Sequence, residues 1–295
     1  MEIVLFSGLT LCVLAVLRIG IKNYRGEMSD FIRTPSTELS RHPERTAVAD
    51  LREISFSAPG GPRLAGWYAP SRHGAAVVLV HGTGADRSSL LFETGALADA
   101  GLGVLALDLP GQGASEGQSS WGVPERRAIV AAVAWLGARD EVDPQRIGGF
   151  GVSMGAYVLA QAAVLEHRLR AVALAGCPTD VVEQNWVASN KWGLLSQLPT
   201  YWALRASGMP LDMLPKDIIG AIAPRPVFIL GGEFDRAVPA YMARQLFAAA
   251  GEPKALWIVP GAYHVDYPRV ASQEYGARLT EFFQRVLATG STNAR

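Results

Sequence analysis

Downstream of Leu51, short apolar runs without a polar break recur along the chain, and they constrain its fold more than any other feature. They lie at residues 75–80, 103–107, 147–152, 171–175, 227–230 and 255–259. Stretches with helical character follow at 125–139, 154–164, 240–250 and 273–287. A strand that is apolar at every position must be covered on both faces, so strands of this kind separated by helices describe a parallel sheet between two helical layers. Ahead of them, "LREISFSA" and "RLAGWYAP" alternate polar and apolar residues around a Gly-Gly-Pro turn, the pattern of an antiparallel hairpin. The expected architecture is one α/β domain over residues 51–290, mostly parallel, with this hairpin at its leading edge and a short tail at 291–295.

Composition removes several classes of function. The chain is 49% hydrophobic and 18% charged, enough apolar material for a sizeable core. Its 27 basic and 27 acidic residues balance, so it lacks the basic footprint of a nucleic-acid binder. Two cysteines, Cys12 and Cys177, build neither a disulfide framework nor a zinc site. No metal or organic cofactor is implied.

The first residues read differently. From Ile3 to Leu17 there is no charge, and the apolar run reaches Ile21 if Arg18 snorkels toward the headgroups. Glu2 precedes the run, while Arg18, Lys22 and Arg25 lie at its far end, and no small-residue cleavage site follows. The expectation is an uncleaved membrane anchor at 1–22, with the main domain on the cytoplasmic side by the positive-inside rule. A cleaved secretory signal, which would export the domain, and an apolar helix packed on the domain or a partner are the alternatives. Residues 23–50, with Pro35 and Pro43, read as a polar linker.

One segment breaks the strand–helix rhythm. Residues 178–216 hold no clear buried strand but carry Trp186, Trp192, Tyr201 and Trp202. An insertion this apolar reads as a small helical cap, with Trp186, Trp192 and Trp202 as walls of a substrate pocket.

In an open parallel sheet, ligands bind beyond the carboxyl ends of the strands. His81, Gly82 and Thr83 fall at that edge, as do Asp108, Ser153, Asp180, Asp235 and His264. Residues 151–155, "GVSMG" between strand and helix, resemble the nucleophile elbow of the α/β-hydrolase fold. "HGTG" at 81–84 resembles its oxyanion loop, "DLPGQGAS" at 108–115 its D-x-x-G-x-G-x-S stretch, and "GGEFDRAVP" and "GAYH" its acid and histidine segments. The likeness runs from about Leu51 to Leu287 and implies a triad in the order Ser153, Asp235, His264. It also implies an oxyanion hole from the backbone N–H groups of Met154 and Thr83, and structural roles for His81 and Asp108.

Glu233 and Asp180 are the competing acids, while Asp266 reads as a loop charge. Serine in place of aspartate at the elbow argues against dehalogenase or epoxide-hydrolase chemistry. "HGTG" has one glycine fewer than the HGGG loop of one esterase class. The leading hairpin and "VDPQRIGGFGVSMG" resemble the branch of dienelactone hydrolases, serine aminopeptidases and prolyl-oligopeptidase-like proteins. The expected reaction is cleavage of a small-molecule or lipid-like carboxylic ester through an acyl-enzyme. Amide cleavage, with Asp180, Glu183 or Asp212 holding a substrate amine, is an alternative. So are thioester cleavage or acyl transfer on the same triad, and a non-catalytic binding role. No oligomeric state is read from the sequence.

Overall fold

The computed structural model describes residues 48, 50–57, 60–188 and 211–288. Eight strands form one sheet in the order β1-β2-β4-β3-β5-β6-β7-β8. They are β1 (Arg52–Ser57), β2 (Arg63–Ala69), β3 (Gly74–Val80), β4 (Gly103–Leu107), β5 (Val142–Val152), β6 (Leu169–Ala175), β7 (Val227–Gly232) and β8 (Lys254–Val259). The expected hairpin is β1–β2, paired antiparallel from Arg52 opposite Tyr68 to Ser57 opposite Arg63. β2 joins the rest through an antiparallel pairing with β4, and all pairings from β4 to β8 are parallel.

The uninterrupted apolar runs are explained by what covers them. Along β3, Ala76, Val78 and Val80 enter one core and Ala75, Val77 and Leu79 the other, because side chains alternate across a strand. The first core is closed by α2 (Val123–Gly137), α3 (Met154–Leu165) and α6 (Ala240–Ala249), through Ile129, Leu159 and Leu246. The second is closed by α1 (Leu91–Asp99) and α7 (Tyr267–Val286), through Leu97, Tyr275 and Phe283. Each fully buried valine or leucine contributes roughly 1.5–3 kcal/mol relative to exposure, so one polar residue in β3 would be strongly disfavoured on either face.

The structure departs from the sequence expectation in three places. α1 has no side-chain cap at its start and carries Gly95, so its local signal is weak; packing on β4 and α7 holds it. β5 begins at Val142, ahead of its apolar part, and its pairing with β3 shifts register between Gly74 and Ala76. α7 begins at Tyr267 rather than near residue 273, with a backbone break at Ala271 (φ −139°, ψ 42°).

Of the expected cap, α4 (Val181–Ala188) and α5 (Pro215–Ile218) are described, while residues 189–210 lie outside the described residues. The expected anchor at 1–22, nearly all of the linker and the tail at 291–295 also lie outside them. Among the described residues, no helix is long and apolar enough to cross a membrane.

Candidate active site

The chain turns sharply between β5 and α3, and Ser153 occupies the turn. Its φ of 54° and ψ of −117° place it where side chains are rarely found, a conformation costing about 1–3 kcal/mol that the surroundings must hold. The Ser153 N–H donates to the Ala175 carbonyl at 2.8 Å, and its own carbonyl accepts from the Tyr157 N–H at 3.0 Å. The flanking glycines are required by space. A Cβ on Gly155 would lie 2.2 Å from the Val80 carbonyl oxygen, and one on Gly151 would lie 2.6 Å from the Gly155 oxygen. The result is a serine hydroxyl raised above the carboxyl end of the sheet.

Two loops bring the remaining groups to it. His264, in the loop between β8 and α7, places Nε2 3.0 Å from Ser153 Oγ. Its Nδ1 lies 2.7 Å from Oδ2 of Asp235, which follows β7. The Asp235 side chain is completely buried, whereas that of His264 is 30% exposed. Oδ1 of Asp235 accepts the N–H groups of Ala237 and Val238, both at 2.8 Å. With an acceptor facing Nδ1, the imidazole proton sits there, and the Nε2 lone pair faces the serine hydroxyl. The arrangement can take a proton from Ser153 and stabilise the imidazolium that forms.

The competing acids are engaged elsewhere. Glu233 accepts from the Gly261 N–H at 2.8 Å. Asp180 caps the start of α4 by accepting from the Val182 N–H and pairs with Lys216 at 2.7 Å, which raises the pKa of that lysine. Asp266 accepts from the Tyr263 N–H at 2.7 Å and pairs with Arg269, steadying the histidine loop.

The loop after β3 passes close to the serine: a Cβ on Gly82 would lie 3.3 Å from Ser153 Cβ. Thr83 follows on the cavity wall, and Met154 is the first residue of α3, where helical amides have no partner within the helix. His81 and Asp108 hold this region. His81 is fully buried, donates from Nδ1 to the Gly82 carbonyl at 2.8 Å and accepts the Leu109 N–H at Nε2, 3.1 Å away. Burial pushes its pKa below the ordinary imidazole value. Asp108 accepts the N–H groups of Arg87 and Ala114 at 2.8 Å and is ion-paired with the buried Arg87 guanidinium. The Gln112 side chain reinforces the loop by accepting the Gly84 N–H at 3.2 Å.

A cavity of about 470 Å³ opens over Ser153 and His264, and its wall includes Thr83, Leu90, Trp121 and Pro268. Of the expected pocket tryptophans, Trp186 is on α4 with its side chain outside the described residues, as are Trp192 and Trp202 altogether. Trp121, Glu93 and Gln184 line the cavity without having been expected there. Glu93 did carry a signal, as the one charge between Leu90 and Leu97. Among the described residues no cluster of histidine, cysteine and carboxylate side chains could hold a metal ion. Cys177 is buried, and burial pushes its thiol pKa up, away from reactivity.

The profile of the alpha/beta hydrolase family matches residues 77–275, which include all the groups above. The chain belongs to the alpha/beta hydrolase family. This hydrolase is 32% identical over 222 residues to the uncharacterized protein Rv2307c of Mycobacterium tuberculosis, covering 73% of each chain. It is 27% identical over 258 residues to the uncharacterized protein YfhR of Salmonella typhimurium, covering 81% of this chain and 84% of that one. Among solved structures, the esterase Pf2001 of Pyrococcus furiosus superposes with a TM-score of 0.71 at 20% identity, over 86% of this chain and 98% of that one. Est1E of Butyrivibrio proteoclasticus, solved with ferulic acid bound, superposes with a TM-score of 0.65 at 17% identity, over 80% and 99%. At such identities these structures speak for a shared fold.

Proposed function

We propose that this hydrolase cleaves carboxylic esters through an acyl-enzyme on Ser153. The observation that carries the proposal is the hydrogen-bonded chain from Asp235 through His264 to Ser153 at the wall of a cavity. In the first half-reaction Ser153 Oγ attacks the ester carbonyl carbon while His264 Nε2 takes its proton. The carbonyl oxygen becomes an oxyanion facing the Thr83 and Met154 N–H groups, with the α3 N-terminus adding its dipole. His264 then protonates the departing alcohol, leaving an acyl-serine. In the second half-reaction, water attacks that acyl group with His264 as base, releasing the acid. Asp235 orients the His264 ring and stabilises the imidazolium in both half-reactions, and no cofactor is implied.

Ester is preferred to amide because two of the three acids suggested for holding a substrate amine have other tasks. Asp180 is paired with Lys216, and Glu183 accepts from the Tyr241 hydroxyl at 3.1 Å. From the sequence alone, we assign residues 178–216 to a cap and residues 1–22 to a membrane tether that would favour lipid-like esters. The test is relative kcat/KM on ester, thioester and aminoacyl amide substrates with matched acyl groups. The ester should lead the amide by at least about 100-fold; an amide faster than its matched ester would overturn the assignment.

A further inference from the structure

Glu93 does not belong to the hydrogen-bonded chain on Ser153, yet it lines the same cavity. It lies in the first turn of α1 and is 4% exposed. Its Oε1 accepts a hydrogen bond from the Tyr275 hydroxyl on α7 at 2.7 Å. Its Oε2 is buried with no hydrogen-bond partner among the described residues. A lone half-satisfied carboxyl is an expensive thing to keep in a core, because a polar group that loses water without gaining a partner is strongly disfavoured. Gln184, on α4, repeats the anomaly: it lines the same cavity, and its Oε1 also has no partner among the described residues. Two residues of one cavity lining thus each carry a buried acceptor without a partner, which calls for a ligand that brings its own donor.

We propose that Glu93, assisted by Gln184, forms a polar subsite that binds a hydroxyl group carried by the ester substrate. This rests on the ester-hydrolase reading above. A hydroxyl is favoured over an ammonium by the surroundings. Glu93 is the only carboxylate among the described residues lining the cavity, whose other polar side chains are Thr83, Ser89, Ser153, Gln184 and His264, with no second acid to pair an ammonium. Burial raises the Glu93 pKa, favouring the uncharged carboxyl, which both donates and accepts. A hydroxyl does the same and matches it in either direction. The hydroxyl could sit on the acyl chain or on the alcohol, and the chemistry recognised at Glu93 is the same.

Two substrate series separate those sources. The first compares p-nitrophenyl esters of hydroxyacyl chains with their unsubstituted isosteres, the hydroxyl moved from the third to the sixth carbon. The second compares plain acyl esters of diols with those of the corresponding simple alcohols. The readout is the kcat/KM ratio of each hydroxyl substrate to its isostere. The intact protein should prefer the hydroxyl by about 10- to 100-fold in one series, at one or two chain positions.

The double variant Glu93→Leu/Tyr275→Phe removes both ends of the buried hydrogen bond, so neither partner is stranded, and it should bring the ratio close to one. Glu93→Gln, which keeps the shape and a hydrogen-bonding group, should retain part of the preference. If the double variant does not fold, Gln184→Leu and the intact protein decide, with a reduced ratio expected for Gln184→Leu. A ratio near one in both series, a ratio unmoved by these variants, or amino-substituted esters outpacing their hydroxyl counterparts would overturn the subsite. When fluorophosphonate still labels Ser153 in such a protein, only the subsite fails. Absence of both labelling and ester turnover overturns the underlying reading as well.

Discussion

Replacing Asp235 by asparagine should abolish most activity while leaving the fold intact, and the hydrogen bonds around it say why. Oδ1 of Asp235 accepts two backbone N–H groups, from Ala237 and Val238, both at 2.8 Å. An asparagine must therefore keep its carbonyl oxygen on that side, since its NH₂ group cannot accept. Its NH₂ then faces His264 Nδ1, which has to become an acceptor. The imidazole proton moves to Nε2, the atom 3.0 Å from Ser153 Oγ, and the base that should take the serine proton is occupied. Loss of the correct tautomer together with the charge behind it costs about 10⁴-fold in kcat, or about 5.5 kcal/mol of transition-state stabilisation. Stability should change little, because the two loop amides keep their acceptor. Asp235→Ala, by contrast, leaves two loop N–H groups without their acceptor, that of Val238 buried, and should lower the melting temperature as well as the rate. The assay is kcat on a p-nitrophenyl ester alongside thermal melting for the three proteins. Asp235→Asn retaining more than a tenth of the native kcat would exclude Asp235 as the acid behind His264 and return attention to Glu233 or Asp180.

The elbow and the loop beneath it give two further tests. Gly155→Ala puts a methyl group 2.2 Å from the Val80 carbonyl, with backbone on the opposing side, so denaturant unfolding should show a loss of about 2–3 kcal/mol or failure to fold; a native-like midpoint would mean that the β3–α3 approach is looser than described. His81 has a pKa depressed by burial, so the unfolded chain binds its proton more readily than the folded one. Its contribution is therefore complete above the unfolded value of about 6.5 and is lost as pH falls below it. Unfolding free energy measured from pH 7.5 to 5 should decline less steeply in His81→Asn than in the native protein, and equal slopes would contradict the buried neutral imidazole.

Much of this was legible in the sequence because the relevant signals are local. The run "AAVVLV" carries no face preference, and β3 is indeed buried on both sides. Gly151 and Gly155 bracket Ser153 because one turn must pass another backbone closely, a demand that a short stretch can express. The order serine, aspartate, histidine along the chain likewise needed no distances. What was not legible depends on tertiary placement. α1 begins without a side-chain cap, so only its packing identifies it. The insertion of β4 between β2 and β3 is a matter of chain crossing that no apolar run encodes. The cavity wall joins Leu90, Trp121, Gln184 and Pro268 from four separate elements or loops, and their meeting depends on the finished sheet. Trp121, in the loop before α2, also lies on the wall and packs at 6.0 Å against Tyr157 of α3, a contact that no local pattern around it announced.

The proposed reaction depends on activation of the Ser153 hydroxyl by His264. It is tested most directly by covalent labelling with a fluorophosphonate, read as intact mass and by peptide mapping. One adduct per chain is expected, on Ser153, with no labelling of Ser153→Ala and a rate for His264→Ala lowered by at least about 10³-fold. A folded native protein that stays unlabelled, or one labelled equally fast without His264, would contradict it.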